Sequence, residues 1–514
     1  MTEKQSQPKV ILVADRTLSA NYRILFEGIF ATMQTTRVPE FAMRSFVSPR
    51  SAVDKYGRAR TAPLGIRRVE SALLKYTNLT ADEVICTTPE ALPGLLGPWV
   101  KIVGFSSSDP LGMGMSNTTS TSFWKGELYT SYWTRQTLQQ LKAAREKYDL
   151  KIVAGGAGSW QWKMHGTKNE LNNIDVLYDG YFEEAGPELF NDILNDRTYE
   201  KFTSQKNTAA EKIQPIKGPS MLGIIELSRG CGRGCRFCTM SNTKMAHIPL
   251  DTILSDLETN AAARITSVVT GSEDFFRYGS DSIKPDFDKL YSLLAAVRKI
   301  RGLSFIQIDH ANVTSVMQLT DEQLREIRKL MTLNKKADFL WVNMGIESAN
   351  GHLVAANCPG KIRPYRPEDW EQIIRRTTEK IFRAGFFPVY SIILGLPGET
   401  RDDIARTLEL VKYLGSRNAV VFPIFYEPLN PEHARFTIEN MLQCHLELYR
   451  TCYEINFRMV PKLYWDNQRA GNVSLLKRML IQLFGKIEMA GWKHTFNKMH
   501  KQLARTDSAL SLEI

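Results

Sequence analysis

Short apolar runs alternate with segments whose apolar residues recur every three to four positions through most of the chain. In the first part the runs are Lys9–Ala14 (KVILVA), Val84–Thr88, Val100–Ser106, Ile152–Gly156 and Val176–Tyr181. Each is too short for a helix and apolar on both faces, as a strand covered on both sides of a sheet must be. Between them, Asn21–Met33, Gly65–Tyr76, Tyr129–Tyr148 and Glu184–Asn195 carry the helical period. The alternation predicts an open parallel α/β sheet wound on both faces, whose ligands sit beyond the carboxyl ends of the strands. Two Gly- and Ser-rich stretches, Phe105–Ser120 and Gly155–Ser159, fall there.

Residues 197–220 are polar and charged, as a linker is. A second series follows, with strands expected at Leu222–Ser228, Thr266–Gly271, Leu303–Asp309, Phe339–Ile346, Pro388–Leu394 and Val420–Tyr426. Helices are expected at Leu250–Ala263, Lys284–Lys299, Asp321–Met331, Pro367–Arg383 and Asp402–Leu414. Six β/α units predict a barrel or partial barrel, with its chemistry at the carboxyl ends of the strands. The remainder is mostly helical. The expected division is therefore a sheet domain over 1–200, a linker over 201–218, a (β/α)6 partial barrel over 219–430 and a helical extension over 431–514.

Composition narrows the classes. The 514 residues are 43% hydrophobic and 24% charged, which suits a folded chain of two to four domains and excludes a disordered or collagen-like one. No run reaches a membrane-spanning length, and the amino terminus lacks an apolar signal core, so a cytoplasmic protein without a membrane partner is expected. Seven cysteines, an odd number, make no disulfide framework. The net charge of +11 is spread without a polybasic tract, so nucleic acid is not an expected partner.

The cysteines carry the chemistry. At the end of the first expected barrel strand, residues 227–239 read LSRGCGRGCRFCT, placing Cys231, Cys235 and Cys238 within eight residues. Glycines let the backbone turn tightly around sulfurs and aim N–H groups at them. Three thiols without a local fourth ligand leave one metal position open, whereas a structural zinc site closes four. Cys86, Cys358, Cys444 and Cys452 are scattered singly and read as buried inert thiols.

This C-x3-C-x2-C loop, with Phe237 before the last cysteine, resembles the signature of the radical S-adenosylmethionine (SAM) enzymes. The resemblance implies that the three thiolates hold a [4Fe–4S] cluster whose open iron takes SAM. It extends to the later strand ends: TGSEDF at 270–275, DHAN at 309–312, GIES at 345–348 and LGLPGET at 394–400. Ser272 and Glu273 occupy the family's SAM-amino loop, although that loop ordinarily has two glycines. Asn312 and Glu347 fall at its ribose and carboxylate contacts, and the LGLPGET turn at its adenine contact. Phe275, Tyr278, Asp309, Asn343, Tyr390 and Tyr426 are expected to face the reaction cavity, with Tyr278, Asp309 and Tyr390 as catalytic candidates; core packing is the alternative for each.

A flavodoxin-like domain ahead of such a barrel resembles the cobalamin-dependent class of these enzymes. The residues behind this are GIRRVE at 65–70, KIVGFS at 101–106, SDPLGMG at 108–114 and AGGAG at 154–158. Ser108, Asp109, Gly155, Gly156 and Gly158 are the expected cobalamin contacts. The D-x-H-x-x-G motif of methionine-synthase-like domains is absent, and His165, on a loop past Gly158 beside Trp160 and Trp162, is the candidate lower axial ligand. A surface-loop histidine, a water ligand, or a cofactor-free domain are the alternatives.

The resemblance implies methylation of an unactivated carbon, with one SAM supplying the methyl group through cobalamin and another the hydrogen-abstracting radical. A low-potential electron donor is implied as partner. SDPLGMG with GIRRVE is similar to archaeal enzymes of this class, among them those that C-methylate a glutamine of methyl-coenzyme M reductase. A protein or peptide substrate fits the basic extension, where Lys493, Lys498, Lys501 and Arg505 lie beside Trp492 and Phe496. A methylthiotransferase would need a second cysteine triad, and only Cys86 precedes Cys231. Cobalamin-dependent ring formation or rearrangement would share every motif named. A plain iron–sulfur carrier would have no use for the SAM loops.

Overall fold

A computed structural model describes residues 7–333, 335, 337–430 and 432–510, with side chains up to Lys501. The chain packs as two compact units, residues 1–226 with 246–269 and 300–302, and residues 227–245 with 270–299 and 303–514.

The first unit is built on a six-stranded parallel sheet: β1 (Val10–Ala14), β2 (Val84–Thr87), β3 (Ile102–Ser106), β4 (Lys151–Gly155), β5 (Val176–Gly180) and β6 (Phe202–Gln205). The order is β2-β1-β3-β4-β5-β6, which is the flavodoxin order with one added edge strand. Alternate residues of one strand serve two different cores. Val10, Leu12 and Ala14 pack with Ile66, Leu73 and Phe190 of the helices Leu64–Tyr76 and Ala185–Leu194. Ile11 and Val13 pack on the other face with Leu138 and Leu141 of the helix Tyr129–Lys147. That two-sided burial is why the strands read as unbroken apolar runs.

Two elements of this unit differ from expectation. The segment read as a linker supplies β6 and then buries Ile213 and Ile216. It is pinned by Arg68, whose guanidinium is buried against Asp256 of the helix Leu250–Ala262, at 2.5 Å, and donates to the Gln214 carbonyl. Asp256 also accepts the Ile216 amide, at 2.9 Å. The second difference is a helix at Met115–Phe123, inside the polar stretch that reads as a loop. Its Thr118, Thr119, Ser120 and Ser122 hydroxyls donate to carbonyls three or four residues back, so the residues that favour turns are satisfied within the helix.

In the second unit, the strands β10 (Leu340–Glu347), β11 (Phe386–Leu394) and β12 (Val420–Phe425) form a parallel sheet. They follow β7 (Ile224–Glu226), β8 (Ser267–Gly271) and β9 (Phe305–Ile308) in the chain, the six strands anticipated. Their ends are joined in sequence order: Leu227 N–H donates to Gly271 O, Thr270 Oγ1 to Gln307 O, and His310 bridges in parallel to Asn343. The helices Gln443–Ala470 and Leu475–Leu510 make up the extension. No helix among the described residues is long and apolar enough to cross a membrane.

Candidate radical SAM site

The cysteine loop starts where the first barrel strand ends, and its shape depends on its glycines. Gly230, Gly232 and Gly234 all have φ near +70° (73°, 67° and 68°), a region that side chains with a Cβ avoid. A Cβ at Gly230 would lie 2.6 Å from the Thr243 carbonyl. Ser241, fully buried, closes the loop by donating to the carbonyls of Cys235 and Cys238 at 2.7 and 2.8 Å.

Two arginines anchor this loop to the neighbouring strand ends. The Arg233 guanidinium is buried, donating to Asp274 Oδ2 at 2.8 Å, to Ser315 Oγ and to the Gly360 carbonyl. Asp274, which has no exposed surface, also accepts the Asn312 amide. Arg277 donates to the Cys231 carbonyl at 3.1 Å. The segment after the helix Gly351–Asn357 is zipped to the same loop, with Gly360 N–H on Arg233 O and Arg236 N–H on Asn357 O.

All three thiols are free. Burial pushes Cys231 up and Cys238 up to about 12, and in each case the neighbouring thiols add to the shift. Cys235 is held down to about 7, first by a hydrogen bond with Cys358, whose own thiol is raised. Cys358 is thus a neighbour of the triad, a placement its solitary position in the sequence conceals. Among the described residues, no group of three or more His, Cys, Asp or Glu side chains is drawn into metal-binding geometry, so the loop holds the thiols as neighbours rather than as a closed ligand set.

Around the loop, Ser272 shares a hydrogen with Ser228 Oγ at 2.7 Å and accepts the Asp274 amide. Glu273 is reachable by solvent, yet the atoms around it push its carboxyl above the ordinary range, as on the wall of a concavity. His310 stands beside it, its Nδ1 3.1 Å from Asp309 Oδ1, and Asp309 raises the imidazole to about 9. Glu347 sits at φ +59°, strained for a residue with a side chain, and is buried against Lys361. Burial alone would lower the Lys361 pKa, but Glu347 beside it holds the ammonium above its ordinary range. Arg233, Asp274 and His310 lie inside the quoted motifs but were given no role there, Cys358 was read as an inert thiol, and Lys361 was not singled out.

Several expected contacts are placed otherwise. Tyr390, expected at the cavity, is buried with its hydroxyl 2.7 Å from Thr378 on the helix Trp370–Arg383, so it faces outward from the strand. Tyr390→Phe should therefore cost about 1 kcal/mol of stability and leave SAM cleavage at the wild-type rate; a folded variant that had lost cleavage would return Tyr390 to the cavity. Asn312 spends its Oδ1 as the cap of the helix Val313–Gln318, on Thr314 N–H and Oγ1. Asn343 donates to the Asp309 carbonyl, and Phe275 is wholly buried beside Phe276. Tyr278 is buried, its phenol pushed up to about 12. Tyr426 does lie at the cysteine loop, its ring edge-on to Phe237 with centroids 6.4 Å apart.

In the first unit, Asp109 is consumed by its own loop. It accepts from Gly114 N–H, Gln161 Nε2 and Asn117 Nδ2. The glycines serve the same close packing: a Cβ on Gly156 would lie 2.5 Å from Ser106 Oγ, on Gly158 2.3 Å from Pro110, and on Gly155 2.9 Å from Tyr178 O. The Ser108 carbonyl is 2.7 Å from the Gly158 position, so Ser108 takes part in this packing. His165 ends a helix, Ser159–His165, rather than sitting on a loop; its Nε2 is buried without a hydrogen-bond partner and its ring is edge-on to Trp160.

Comparison with known proteins agrees with this geometry. Residues 225–411 match the family model of the Radical SAM superfamily. A tRNA-2-methylthio-N(6)-dimethylallyladenosine synthase of Marinomonas sp. is 23% identical over 297 residues, 56% of this chain and 61% of that protein. A ribosomal protein uS12 methylthiotransferase RimO of Leptospira biflexa is 24% identical over 272 residues, 51% of this chain and 54% of that one. The chain thus spans less than two thirds of the length of both relatives. Among solved structures, the radical S-adenosylmethionine methyltransferase TsrM of Kitasatospora setae, determined with cobalamin and a [4Fe-4S] cluster, is similar with a TM-score of 0.53 at 13% identity. That likeness covers 82% of this chain and 77% of TsrM, and it shows a shared fold.

Proposed function

We propose that the protein is a cobalamin-dependent radical SAM methyltransferase acting on a carbon of a protein or peptide residue. The observation that carries this reading is the pairing of a glycine-shaped cysteine loop in a radical SAM domain with a sheet of flavodoxin order that leaves buried polar atoms unpaired at its carboxyl edge. Asp15 Oδ2, Asn117 Oδ1 and Ser131 Oγ, with His165 Nε2 beyond β4, have no hydrogen-bond partner although they are buried. Such atoms ordinarily find partners. A carboxylate oxygen, an amide oxygen and a hydroxyl suit the N–H groups of a corrin's amide side chains, and an imidazole suits its metal, so the set fits the group.

When bound, the cluster with SAM supplies a hydrogen-abstracting radical and the corrin a transferable methyl group. The chain's own part is positional. Cys231, Cys235 and Cys238 would hold the cluster, with Arg233 and Arg277 keeping their loop in register. Glu273 would receive an ammonium group, with Asp309 and His310 beside it. Methylthiolation, the reaction named for the curated relatives, is not the reading adopted. Cys86, the single cysteine before Cys231, is a buried thiol packed on the Ile66 carbonyl, which leaves no thiol set for a second cluster.

The basic character of residues 475–501 supports a protein substrate. Lys477, Arg478, Lys486, Lys493, Lys498 and Lys501 face a single acid, Glu488. Trp492 and Phe496 are not part of such a surface, since both are buried against Tyr449 and Tyr453; the Arg505 side chain lies outside the described residues. A glutamine of methyl-coenzyme M reductase is the substrate to test first.

The test is anaerobic reconstitution with iron, sulfide and hydroxocobalamin. About four iron atoms and one cobalamin per chain are expected, together with transfer of label from methyl-labelled SAM to protein. Four iron atoms without cobalamin would remove the methyl-transfer reading. His165→Ala should change the nitrogen splitting in the cob(II)alamin EPR spectrum and leave the iron–sulfur signal alone; an unchanged splitting excludes His165 as the axial ligand.

A further inference from the structure

The helical extension begins with a histidine whose two nitrogens are both committed. His445, buried on the helix Gln443–Ala470, accepts the Leu442 amide at Nδ1, 3.1 Å away. That nitrogen therefore carries no proton, and the hydrogen is on Nε2, 3.0 Å from Glu399 Oε2. The same carboxylate oxygen accepts the Gly395 amide at 2.8 Å. Glu399 N–H closes the turn on the Leu396 carbonyl.

The turn so held is Gly395–Glu399, at the carboxyl end of β11. It is held from the outside as well. Gly395 has φ +80°, and a Cβ there would lie 2.3 Å from the Phe436 ring, whose centroid is 4.9 Å from that of His445. Phe436 N–H donates to the Tyr426 carbonyl and Tyr426 N–H to the Leu394 carbonyl, so the strand leaving β12 is laced to the end of β11. The Asn357 amide donates to the Pro397 carbonyl from the other side. A turn with two positive-φ glycines, Gly395 and Gly398, has little rigidity of its own. From within, Glu399 ties the turn's two ends together, and His445 holds the Glu399 carboxylate.

We propose that His445 is a positioning residue for SAM: from outside the radical SAM domain it fixes the Gly395–Glu399 turn and thereby sets how tightly the barrel binds the cofactor. The proposal rests on the radical SAM reading and on the turn's place beside the cysteine loop, since Asn357 holds Pro397 O with its side chain and the Arg236 N–H with its carbonyl. It gives the extension a role in the first substrate's binding, separate from any docking of a protein substrate. The interaction is that of a neutral imidazole N–H with a carboxylate, so a carboxamide, with an acceptor and a donor at similar spacing, should replace it in part.

The experiment uses the full-length reconstituted enzyme and its His445→Ala and His445→Gln variants. It measures KM for SAM and kcat for 5′-deoxyadenosine formation, iron content, and the SAM concentration that half-completes the EPR change of the reduced cluster. In His445→Ala, KM and the half-saturating concentration should each rise about ten-fold or more, with kcat within about two-fold and iron unchanged. His445→Gln should recover most of the affinity. Unchanged SAM affinity in a folded His445→Ala protein overturns the proposal, as does iron lost in both variants or a His445→Gln protein no better than His445→Ala. A wild-type cluster whose EPR spectrum ignores SAM strikes the radical SAM reading first, and the proposal falls with it.

Discussion

Protein with Cys231→Ala, Cys235→Ala or Cys238→Ala, reconstituted beside the wild type, should hold little of the expected four or so iron atoms and produce no 5′-deoxyadenosine. The effect is large because a cluster with three protein ligands has none to spare. Cys358→Ala is the informative companion. Cys358 lies against Cys235 and holds its pKa down, yet it belongs to the segment packed on the cysteine loop and not to the loop itself. Its variant should keep its iron. Iron content equal to wild type in all three loop variants would defeat the cluster assignment, and iron lost from Cys358→Ala would make that thiol a fourth member of the site.

The second large effect is expected at Asp274. Its carboxylate is buried on the Arg233 guanidinium and also receives the Ser315 hydroxyl and the Asn312 amide. Asp274→Ala leaves a guanidinium enclosed without its counter-charge, a change that costs about 3–5 kcal/mol where one partner of a buried pair is removed. Because Arg233 lies between Cys231 and Cys235, the loss should also appear as reduced iron uptake. Urea unfolding of the full chain, followed alongside iron content, checks both. An unfolding midpoint equal to wild type would show that the Ser315 and Gly360 contacts suffice to hold Arg233.

What the sequence revealed depended on whether the signal was local. The strands of both series were legible because each is a short apolar run, and the unbroken run Val10–Ala14 is the direct record of two cores on two faces. The cysteine loop was legible because all its ligands and glycines lie within a few positions. By contrast, Phe202–Gln205 is an edge strand with a half-solvated, polar sequence, and composition reads it as a linker. Tyr390 illustrates a parity problem: one residue along β11 reverses the face, and Thr378, which shares a hydrogen bond with its hydroxyl, is 12 residues away. The pairs that shape the site, Arg233 with Asp274 and Lys361 with Glu347, join residues 41 and 14 apart and leave no pattern that spacing reveals. Gly155, Gly156 and Gly158 were read as cobalamin contacts, and spacing does not show that a Cβ at each would also meet neighbouring protein atoms.

The Arg68–Asp256 contact bears on heredity. The sheet unit is not contiguous in the chain: one of its buried counter-charges arrives on the helix Leu250–Ala262, after the cysteine loop has been traversed. Cutting at residue 218 would strand a guanidinium that has 5% of its side chain exposed. The unit cannot therefore be shuffled between proteins as a free cassette. A segment that keeps the sheet unit whole must run on through the cysteine loop to the helix Leu250–Ala262.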